Sequence, residues 1–350
     1  MNIKMKLRRI STIGLSAVLL CGYANQNFVT QRRVLLGTVV EITVADKDKS
    51  RQLIDQAIKG AFSEIERVEN LLSRFKSQSE ISQINTKGEF EPVQVSPETI
   101  ALIESSVEFS RQTNGAFDIT ILPLAQAWGF NQKEKDLPGQ LLLQQARSKV
   151  GYKNIKIDSL SQSVYLAHPG MKLDLGAIAK GYAVDQAVAV LKAADIDNAL
   201  VNAGGDIYAL GRPEKSRKWQ VAVQHPRKKN VQLTVLEIEN MAVATSGDYE
   251  NFIEYSGERF GHIIDPKTGA SSAAGPLSVT VLSPDCLQAD ALATSIFLLS
   301  PDQGLKLVAE LDNTEVLIAS FYNQDQGEQL DLISSPGLNQ LQFSHAQNNF

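Results

Sequence analysis

Cysteine and histidine are scarce in this 350-residue chain, which contains two cysteines and four histidines. Cys21 lies in the N-terminal segment, and Cys286 is the second cysteine. Once the N-terminal segment is set aside, Cys286 has no partner for an internal disulfide bond. Packing must therefore stabilise the fold.

Positive charge is not in excess either. The net charge is −5, the isoelectric point is near 5.5, and no basic patch with interleaved aromatic residues is present. These values argue against a general nucleic-acid-binding protein, so no nucleic acid is expected among the partners. The run Arg227-Lys228-Lys229 is most simply a solvated loop between strands. With 43% hydrophobic and 21% charged residues, the chain has the composition of a soluble globular protein.

The N-terminus carries a short apolar run, residues 13–20, which is too short for a stable membrane span. Four basic residues precede it: Lys4, Lys6, Arg8 and Arg9. This layout predicts a signal peptide over residues 1–24. Cys21 also resembles the lipidated residue of a bacterial lipoprotein, although Leu20 departs from the small residue preferred there, and cleavage after Ala24 is the alternative. Either way we expect an exported protein on the periplasmic side of the inner membrane, held there by a lipid anchor if Cys21 is modified.

Strand and helix periodicities alternate along the first half of the chain. Residues 33–45 are rich in β-branched side chains and predict a strand pair, or one strand bent at Gly37. Residues 50–72 place apolar side chains at a helical period. A further helix begins after Ser96, with proline at its first position, and runs to about Thr113.

The second half predicts mostly strands. Four short ones are expected at 154–158, 163–167, 171–173 and 199–203. Six more follow in succession and imply an antiparallel sheet: 219–224, 231–238, 241–245, 252–255, 259–264 and 277–282. Then come a helix over 286–298, a helix with a capping box from Ser300, a last strand over 315–320 and a polar tail over 334–350. We therefore predict an α+β fold with largely antiparallel or mixed sheets and packed helices, forming one unit over residues 33–322.

The segment 172–185 (KLDLGAIAKGYAVD) has the pattern of a ligand-binding turn. An apolar lead, predicted as a strand, reaches a small-residue turn at Gly176 and Ala177, and a helix follows. The first N–H groups of such a helix lack internal partners and favour an anion. Lys180 in the first helical turn suggests a phosphate, and Asp174 could bind a ligand hydroxyl, a ring nitrogen or a metal. An aspartate beside a glycine is also an ordinary turn former.

Three further segments combine glycine with polar or aromatic residues. In residues 114–130, the aromatic side chains and Asp118 could hold a planar ring, or could simply form core and turn. In residues 202–206, paired glycines allow a close approach of backbone to ligand, or a plain turn. In residues 244–249, Thr245 and Ser246 could bind phosphate oxygens.

His262 and Asp265 are candidates for proton transfer. They lie three residues apart, so a hydrogen bond between them requires a turn, which Pro266 and Gly269 can supply. A lone histidine is usually structural, but the neighbouring Asp-Pro turn favours a functional role.

Asp290 and Thr294 are four residues apart on a predicted helix and therefore share a face. A carboxylate and a hydroxyl there could bind one hard cation, and oxygen ligands suit Mg²⁺. The alternative is a helix-capping aspartate together with a threonine bonded to its own helix.

Seven segments, in order over residues 33–310, carry a resemblance to a known family. They are LSRF (72–75) with SEISQIN (79–85), GAFDITILPLAQAWGF (115–130), DLGAIAKGYAVD (174–185), VNAGGD (201–206), ATSGDYE (244–250), HIIDPKTG (262–269) and ADALAT (289–294). In these segments the chain resembles the FAD:protein FMN transferases, the ApbE family.

The resemblance implies an enzyme that binds FAD and Mg²⁺, transfers the FMN half to a Ser or Thr hydroxyl of a partner protein and releases AMP. It implies FAD contacts at Leu36, Phe75, Ala116, Phe117, Asp118, Asp174, Lys180 and Ile264. It implies Mg²⁺ ligands at Asp290, Thr294 and the backbone carbonyl of Ala177. His262 or Asp265 would accept the hydroxyl proton.

Two positions depart from the family's usual residues. Phe75 stands where tyrosine is common, which keeps ring stacking but removes a phenol hydrogen bond, and Ala177 replaces a frequent glycine. The expected partner is an acceptor subunit of a membrane redox complex. The alternatives are an FAD pyrophosphatase that yields FMN and AMP, and a flavin-binding lipoprotein without catalysis.

Overall fold

The computed structural model describes residues 28–130, 137–228, 230–249, 251–255, 258–271, 275–322 and 329–338. The predicted signal peptide with Cys21, and most of the predicted polar tail, lie outside these residues. Within these ranges, no helix has both the length and the apolar character needed to cross a bilayer.

Fifteen strands are present in the described residues. In chain order they are β1 (Val29–Leu35), β2 (Thr38–Val44), β3 (Val93–Gln94), β4 (Ile155–Asp158), β5 (Ser163–Leu166), β6 (Ala199–Ala203), β7 (Asp206–Leu210), β8 (Trp219–Gln224), β9 (Gln232–Ile238), β10 (Met241–Gly247), β11 (Phe252–Tyr255), β12 (Glu258–Gly261), β13 (Ser278–Ser283), β14 (Glu315–Tyr322) and β15 (Gln329–Ser334). Eight of them form the central sheet in the order β1-β2-β6-β7-β10-β13-β14-β15, with every neighbouring pair antiparallel.

The helices of the described chain lie between these strands. They are α1 (Arg51–Leu72), α2 (Glu80–Lys87), α3 (Pro97–Gln112), α4 (Leu122–Trp128), α5 (Gln140–Arg147), α6 (Ala179–Ala193), α7 (Cys286–Phe297) and α8 (Pro301–Ala309). Helix α6 packs against both α1 and α7, and α6 and α7 contact the central sheet.

Both faces of the central sheet are covered, which explains why every residue of β6, β7 and β13 is buried. In β6, Val201 packs into the core cluster on the helix side, whereas Leu200 packs into a second cluster on the other side. That second side is covered by the β8–β9 hairpin, whose Trp219 is fully buried. These strands therefore lack the alternation of buried and exposed side chains that a half-exposed strand has.

The predicted α+β class is confirmed, and so is the strand pair at residues 33–45, which turns at Leu36 and Gly37. The six strands predicted in succession are antiparallel but do not form one sheet. β10 and β13 belong to the central sheet, while β8–β9 and β11–β12 form two separate hairpins. Sequence spacing gives no information on which hairpin joins the sheet and which covers it.

Other predictions were wrong or incomplete. Residues 171–173 do not form a strand and make a single bridge, between Lys172 and Ile121. β15 follows the strand that was predicted to be last. β7 and the helices α2, α4 and α5 were not predicted. The three helices span only seven or eight residues, which is too short for a clear periodic signal.

The contact between α6 and α7 positions the site. The Asp185 carboxylate on α6 accepts hydrogen bonds from the N–H groups of Cys286 and Leu287 in the first turn of α7, at 2.8 Å each. Gly181 lies against the same turn: a Cβ at Gly181 would lie 2.2 Å from the carbonyl oxygen of Cys286. Glycine at this position therefore sets the distance between the two helices.

Candidate active site

A cavity of about 280 Å³ opens where α6, α7, β10 and the 116–121 segment meet. Ten of the predicted site residues line it: Ala116, Phe117, Asp118, Asp174, Ala177, Lys180, Thr245, Ser246, His262 and Ile264. The two predicted metal-binding side chains, Asp290 and Thr294, line it as well. Segments separated by more than 170 residues in sequence therefore share one cavity.

The turn before α6 differs from the predicted anion cradle. The helix begins at Ala179, with no side-chain cap at Ile178. The N–H groups of Gly176, Ile178, Ala179 and Gly181 all donate to oxygens within the protein. These four amides are therefore engaged, and the side chains of Lys180 and Arg74 add positive charge to the cavity lining.

Lys180 is the central cation of the site. Its ammonium group contacts the Asp206 carboxylate and lies 3.5 Å from Asp290 Oδ1. Asp206 begins β7 directly after Gly204 and Gly205, which form the tight turn between β6 and β7 with positive φ angles. The paired glycines thus make a hairpin turn, after which Asp206 contacts Lys180.

Asp290 lies in the middle of α7, so the alternative of a helix-capping aspartate is wrong; Asp285 is the N-cap residue. The Asp290 side chain is 5% exposed, and its Oδ2 accepts a hydrogen bond from Gly181 N–H at 3.2 Å. The Thr294 hydroxyl lies 3.2 Å from Ser246 Oγ on β10. One buried carboxylate therefore faces the cavity together with two neutral hydroxyls.

This donor set fits a hard divalent cation, because all of its atoms are oxygens and one of them carries charge. Among the described residues, no cluster of three or more His, Cys, Asp or Glu side chains could hold a metal. A cation bound at Asp290 would therefore need ligands from neutral oxygens and from a bound substrate.

The neighbouring hydroxyls are arranged by the strand pair β10–β13. Thr245 and Thr280 are directly opposite in register, and their hydroxyls are 2.9 Å apart. Thr245 and Ser246 both line the cavity, as their predicted role in binding phosphate oxygens requires.

Asp118 is buried, and hydrogen bonds engage its carboxylate. Oδ1 accepts from the backbone N–H and the hydroxyl of Thr120, at 2.8 and 2.6 Å, and Oδ2 accepts from Tyr152 N–H at 2.9 Å. Burial raises the pKa of Asp118, and these hydrogen bonds act in the opposite direction. Asp118 thus fastens residues 118–120 to residues 151–152 in addition to lining the cavity.

Arg74 is a lining residue that the sequence reasoning missed. Its Nε lies 2.8 Å from Asp174 Oδ2, and its guanidinium carbon lies 4.0 Å from the centre of the Phe75 ring. The sequence could have indicated Arg74, because it precedes Phe75 in the LSRF segment. A cation next to a residue that is expected to stack on the ligand is itself a candidate ligand contact. Asn251, which was not predicted as a site residue, and Phe130, one of the aromatic residues of the 114–130 segment, also line the cavity.

His262 lines the cavity, whereas Asp265 does not. The Asp265 carboxylate accepts hydrogen bonds from Lys267 N–H and the Thr268 hydroxyl, at 2.8 and 2.9 Å. His262 Nδ1 is buried and has no hydrogen-bond partner among the described residues, so the predicted pair does not form. Since Nδ1 is buried, Nε2 is the nitrogen that can reach the cavity. Burial lowers the pKa of His262, the backbone of Asn251 acts in the opposite direction, and the charge of Lys180 lowers the pKa further.

Two predicted FAD contacts do not line the cavity in this structure. Leu36 packs against the main core with a positive φ of 55° in the β1–β2 turn. Phe75 is 73% exposed and stacks on Arg74, which places its ring beside a lining residue.

The comparisons with known proteins decide the family. The ApbE family model matches residues 36–318. The chain belongs to the ApbE family. The resemblance inferred from the seven segments is thus confirmed, and the protein is an enzyme of the transferase class.

Individual ApbE relatives agree with this assignment. The chain is 34% identical over 260 residues to the FAD:protein FMN transferase of Vibrio cholerae, covering 73% of this chain and 76% of the relative. The ApbE protein of Thermotoga maritima superposes with a TM-score of 0.78 at 32% identity, covering 89% of this chain and 98% of that structure. The flavin transferase ApbE of Vibrio cholerae gives a TM-score of 0.77 at 28% identity, covering 90% and 99%.

Proposed function

We propose that this ApbE-family protein transfers FMN from FAD to a Thr or Ser hydroxyl of an acceptor protein and releases AMP. The observation that carries the proposal is the meeting of the 174–181 segment with α7. Lys180 Nζ lies 3.5 Å from Asp290 Oδ1, and Gly181 N–H bonds Asp290 Oδ2 in the same cavity. The two linked phosphates of FAD are the part of the substrate that such a site would hold, since their oxygens carry negative charge.

Mg²⁺ fits the donor set at α7. Asp290, Thr294 and the carbonyl oxygen of Ala177 would hold it, and the family resemblance implies the same three residues. When bound, it would neutralise charge on the phosphate oxygens. Lys180 is already held between Asp206 and Asp290, so it is oriented before the substrate arrives.

The protein's contribution to the reaction is then positioning and proton removal. The acceptor hydroxyl oxygen forms a bond to the phosphorus of the FMN half, the bond from that phosphorus to the AMP phosphate oxygen breaks, and AMP leaves. We propose that His262 Nε2 accepts the hydroxyl proton, because the imidazole lines the cavity while Asp265 is bound within its own turn. Arg74 fixes Asp174 at the cavity wall through their ion pair.

The proposed base predicts the pH dependence of the reaction. His262 must be neutral to accept a proton, and burial lowers its pKa from the ordinary value of about 6.5. The neutral form therefore persists to lower pH than for an exposed histidine. We expect the rate of FMN attachment at saturating FAD and acceptor to fall on the acid side with an inflection below about pH 6.5.

The variant His262→Gln tests whether His262 causes this inflection in the pH dependence of the rate. It should lower the rate by roughly 100-fold or more and remove the acid-side inflection, since a glutamine does not titrate. FAD affinity is measured over the same pH range as the control. An inflection that survives in His262→Gln belongs to another group and would exclude His262 as the base.

The activity itself is tested with purified protein, FAD, Mg²⁺ and a co-expressed candidate acceptor. We expect flavin fluorescence that stays with the acceptor after denaturation, and an added FMN mass on one of its Thr or Ser residues. AMP release without any acceptor measures FAD hydrolysis separately. If AMP is released but no flavin is attached to any acceptor, the protein is an FAD pyrophosphatase and the transferase proposal is wrong. If neither AMP release nor flavin attachment occurs, the protein is a flavin carrier.

We further propose that the protein acts on the periplasmic side of the inner membrane, on an acceptor subunit of a membrane redox complex. The basic and apolar N-terminal pattern over residues 1–24 supports export. The mass of the mature N-terminal peptide separates lipidation at Cys21 from cleavage after Ala24.

A further inference from the structure

A second cavity, of about 650 Å³, lies beside the proposed active site and is lined by three exposed cations. They are Arg147 at the end of α5, Lys153 after it, and Lys267 in the turn that follows His262. We call this cavity the cationic cleft. None of the proposed steps uses it.

The three side chains of the cationic cleft form no ion pair with any described residue. Two carboxylates lie near them: Asp118 on the wall, buried and engaged by three hydrogen bonds, and Asp265, held by Lys267 N–H and the Thr268 hydroxyl. The cleft therefore concentrates positive charge on a chain whose net charge is −5.

The cationic cleft adjoins the active-site cavity. Asp118 and Pro266 line both of them. The Asp118 carboxylate also accepts a hydrogen bond from Tyr152 N–H, and Gly151 N–H donates to the Thr120 hydroxyl at 2.8 Å. These two hydrogen bonds join residues 118–120 to residues 151–152 in the wall between the two cavities. A chain lying in the cleft could therefore reach the active-site cavity over a short, fixed path.

We propose that the cationic cleft binds an acidic segment of the acceptor protein and so guides the neighbouring Thr or Ser hydroxyl into the active-site cavity. The inference rests on the proposed function for the identity of the partner. The chemistry of recognition is the pairing of Asp or Glu side chains with Arg147, Lys153 and Lys267, all of which lack such partners among the described residues.

The shape and charge of the molecule favour a short acidic segment over a larger anionic surface. Three cations in a concave cleft can be neutralised by two or three carboxylates on one extended chain. Nucleic acid or an anionic membrane would need a wider basic face, and the overall negative charge of the protein opposes both.

The test uses two fluorescent peptides that share one threonine after small residues and differ in the flanking residues, three glutamates in one and three glutamines in the other. Binding is measured by fluorescence anisotropy, and FMN attachment to each peptide is measured separately. We expect the glutamate peptide to bind roughly tenfold more tightly, because three exposed ion pairs each contribute a modest amount. The difference should shrink at high salt, since exposed charges are screened.

The variant that tests the cleft is Arg147→Gln with Lys153→Gln and Lys267→Gln. It should lose the preference for the glutamate peptide while keeping the rate of AMP release without acceptor. The matched control is Lys59→Gln with Lys87→Gln and Lys306→Gln, which changes the charge equally at exposed helical sites outside both cavities. The control should keep the preference.

The outcomes separate this proposal from the proposed function. Equal binding of both peptides with normal FMN attachment overturns docking in the cleft and leaves the transferase intact. A cleft-dependent preference without FMN attachment supports the docking surface and counts against the transferase. Binding of phosphatidylglycerol vesicles through the same three cations, with no peptide preference, would show a membrane-facing surface and overturn the proposal.

Discussion

Asp290→Asn should lower FMN attachment and AMP release by about 1000-fold or more while FAD binding stays within about fivefold of the unmodified protein. The substitution removes the buried charge that faces the cavity but keeps the side-chain shape and an oxygen that can accept the Gly181 N–H bond. The helix contact is therefore preserved, and the dependence of the remaining turnover on Mg²⁺ separates the loss of a cation ligand from the weaker contact with Lys180.

Three measurements make this result interpretable. Turnover is followed as a function of Mg²⁺ concentration, FAD binding by quenching of flavin fluorescence, and folding by thermal unfolding. Asp302→Asn on the exposed first turn of α8 is the charge-matched control and should leave turnover unchanged. If Asp290→Asn retains more than about a tenth of the turnover, Asp290 does not hold a metal that the reaction needs.

Gly181→Ala should destabilise the protein by roughly 3 kcal/mol, which corresponds to a fall in Tm of about 4 to 5 °C for a chain of this length. The added methyl group would meet the Cys286 carbonyl oxygen at 2.2 Å, its carbon at 2.6 Å and Leu287 Cα at 2.9 Å. All three are backbone atoms, so α6 and α7 must move apart. In an exposed helix the same change would stabilise the protein by about 1 kcal/mol. A loss of stability would therefore show that α6 and α7 are in close contact at Gly181.

The same variant should also impair the site, because Lys180 and Asp290 lie on the two helices that separate. Thermal unfolding and FAD affinity are the measurements. Gly139→Ala is the matched control, since no atom of the described residues beyond its two chain neighbours lies within 4 Å of a Cβ at that position. It should change stability by less than about 0.5 kcal/mol. A Gly181→Ala protein as stable as the unmodified one would mean that the close approach of α6 to α7 is not required.

Much of the architecture followed from sequence alone. The period of α1, the proline start of α3 and the capping box of α8 are local signals, and the structure has all three. The seven segments also indicated the family, because all of them occur in the family's order along the chain. The pairing of hairpins was not predictable, since β8–β9 and β10 have similar apolar content yet lie on different layers.

Within the site, the sequence determined which residue types were available, and the tertiary structure decided what each one does. In the sequence Asp206 is only the end of a glycine motif, but in the structure it begins β7 and contacts Lys180. In the sequence Asp265 is a candidate base, but in the structure its own turn engages both carboxylate oxygens. Arg74 entered the cavity through its ion pair with Asp174, 100 residues away. Local spacing fixes hydrogen bonds within a turn or helix, but contacts between distant segments depend on how the sheet and its helices pack, and only the folded chain shows them.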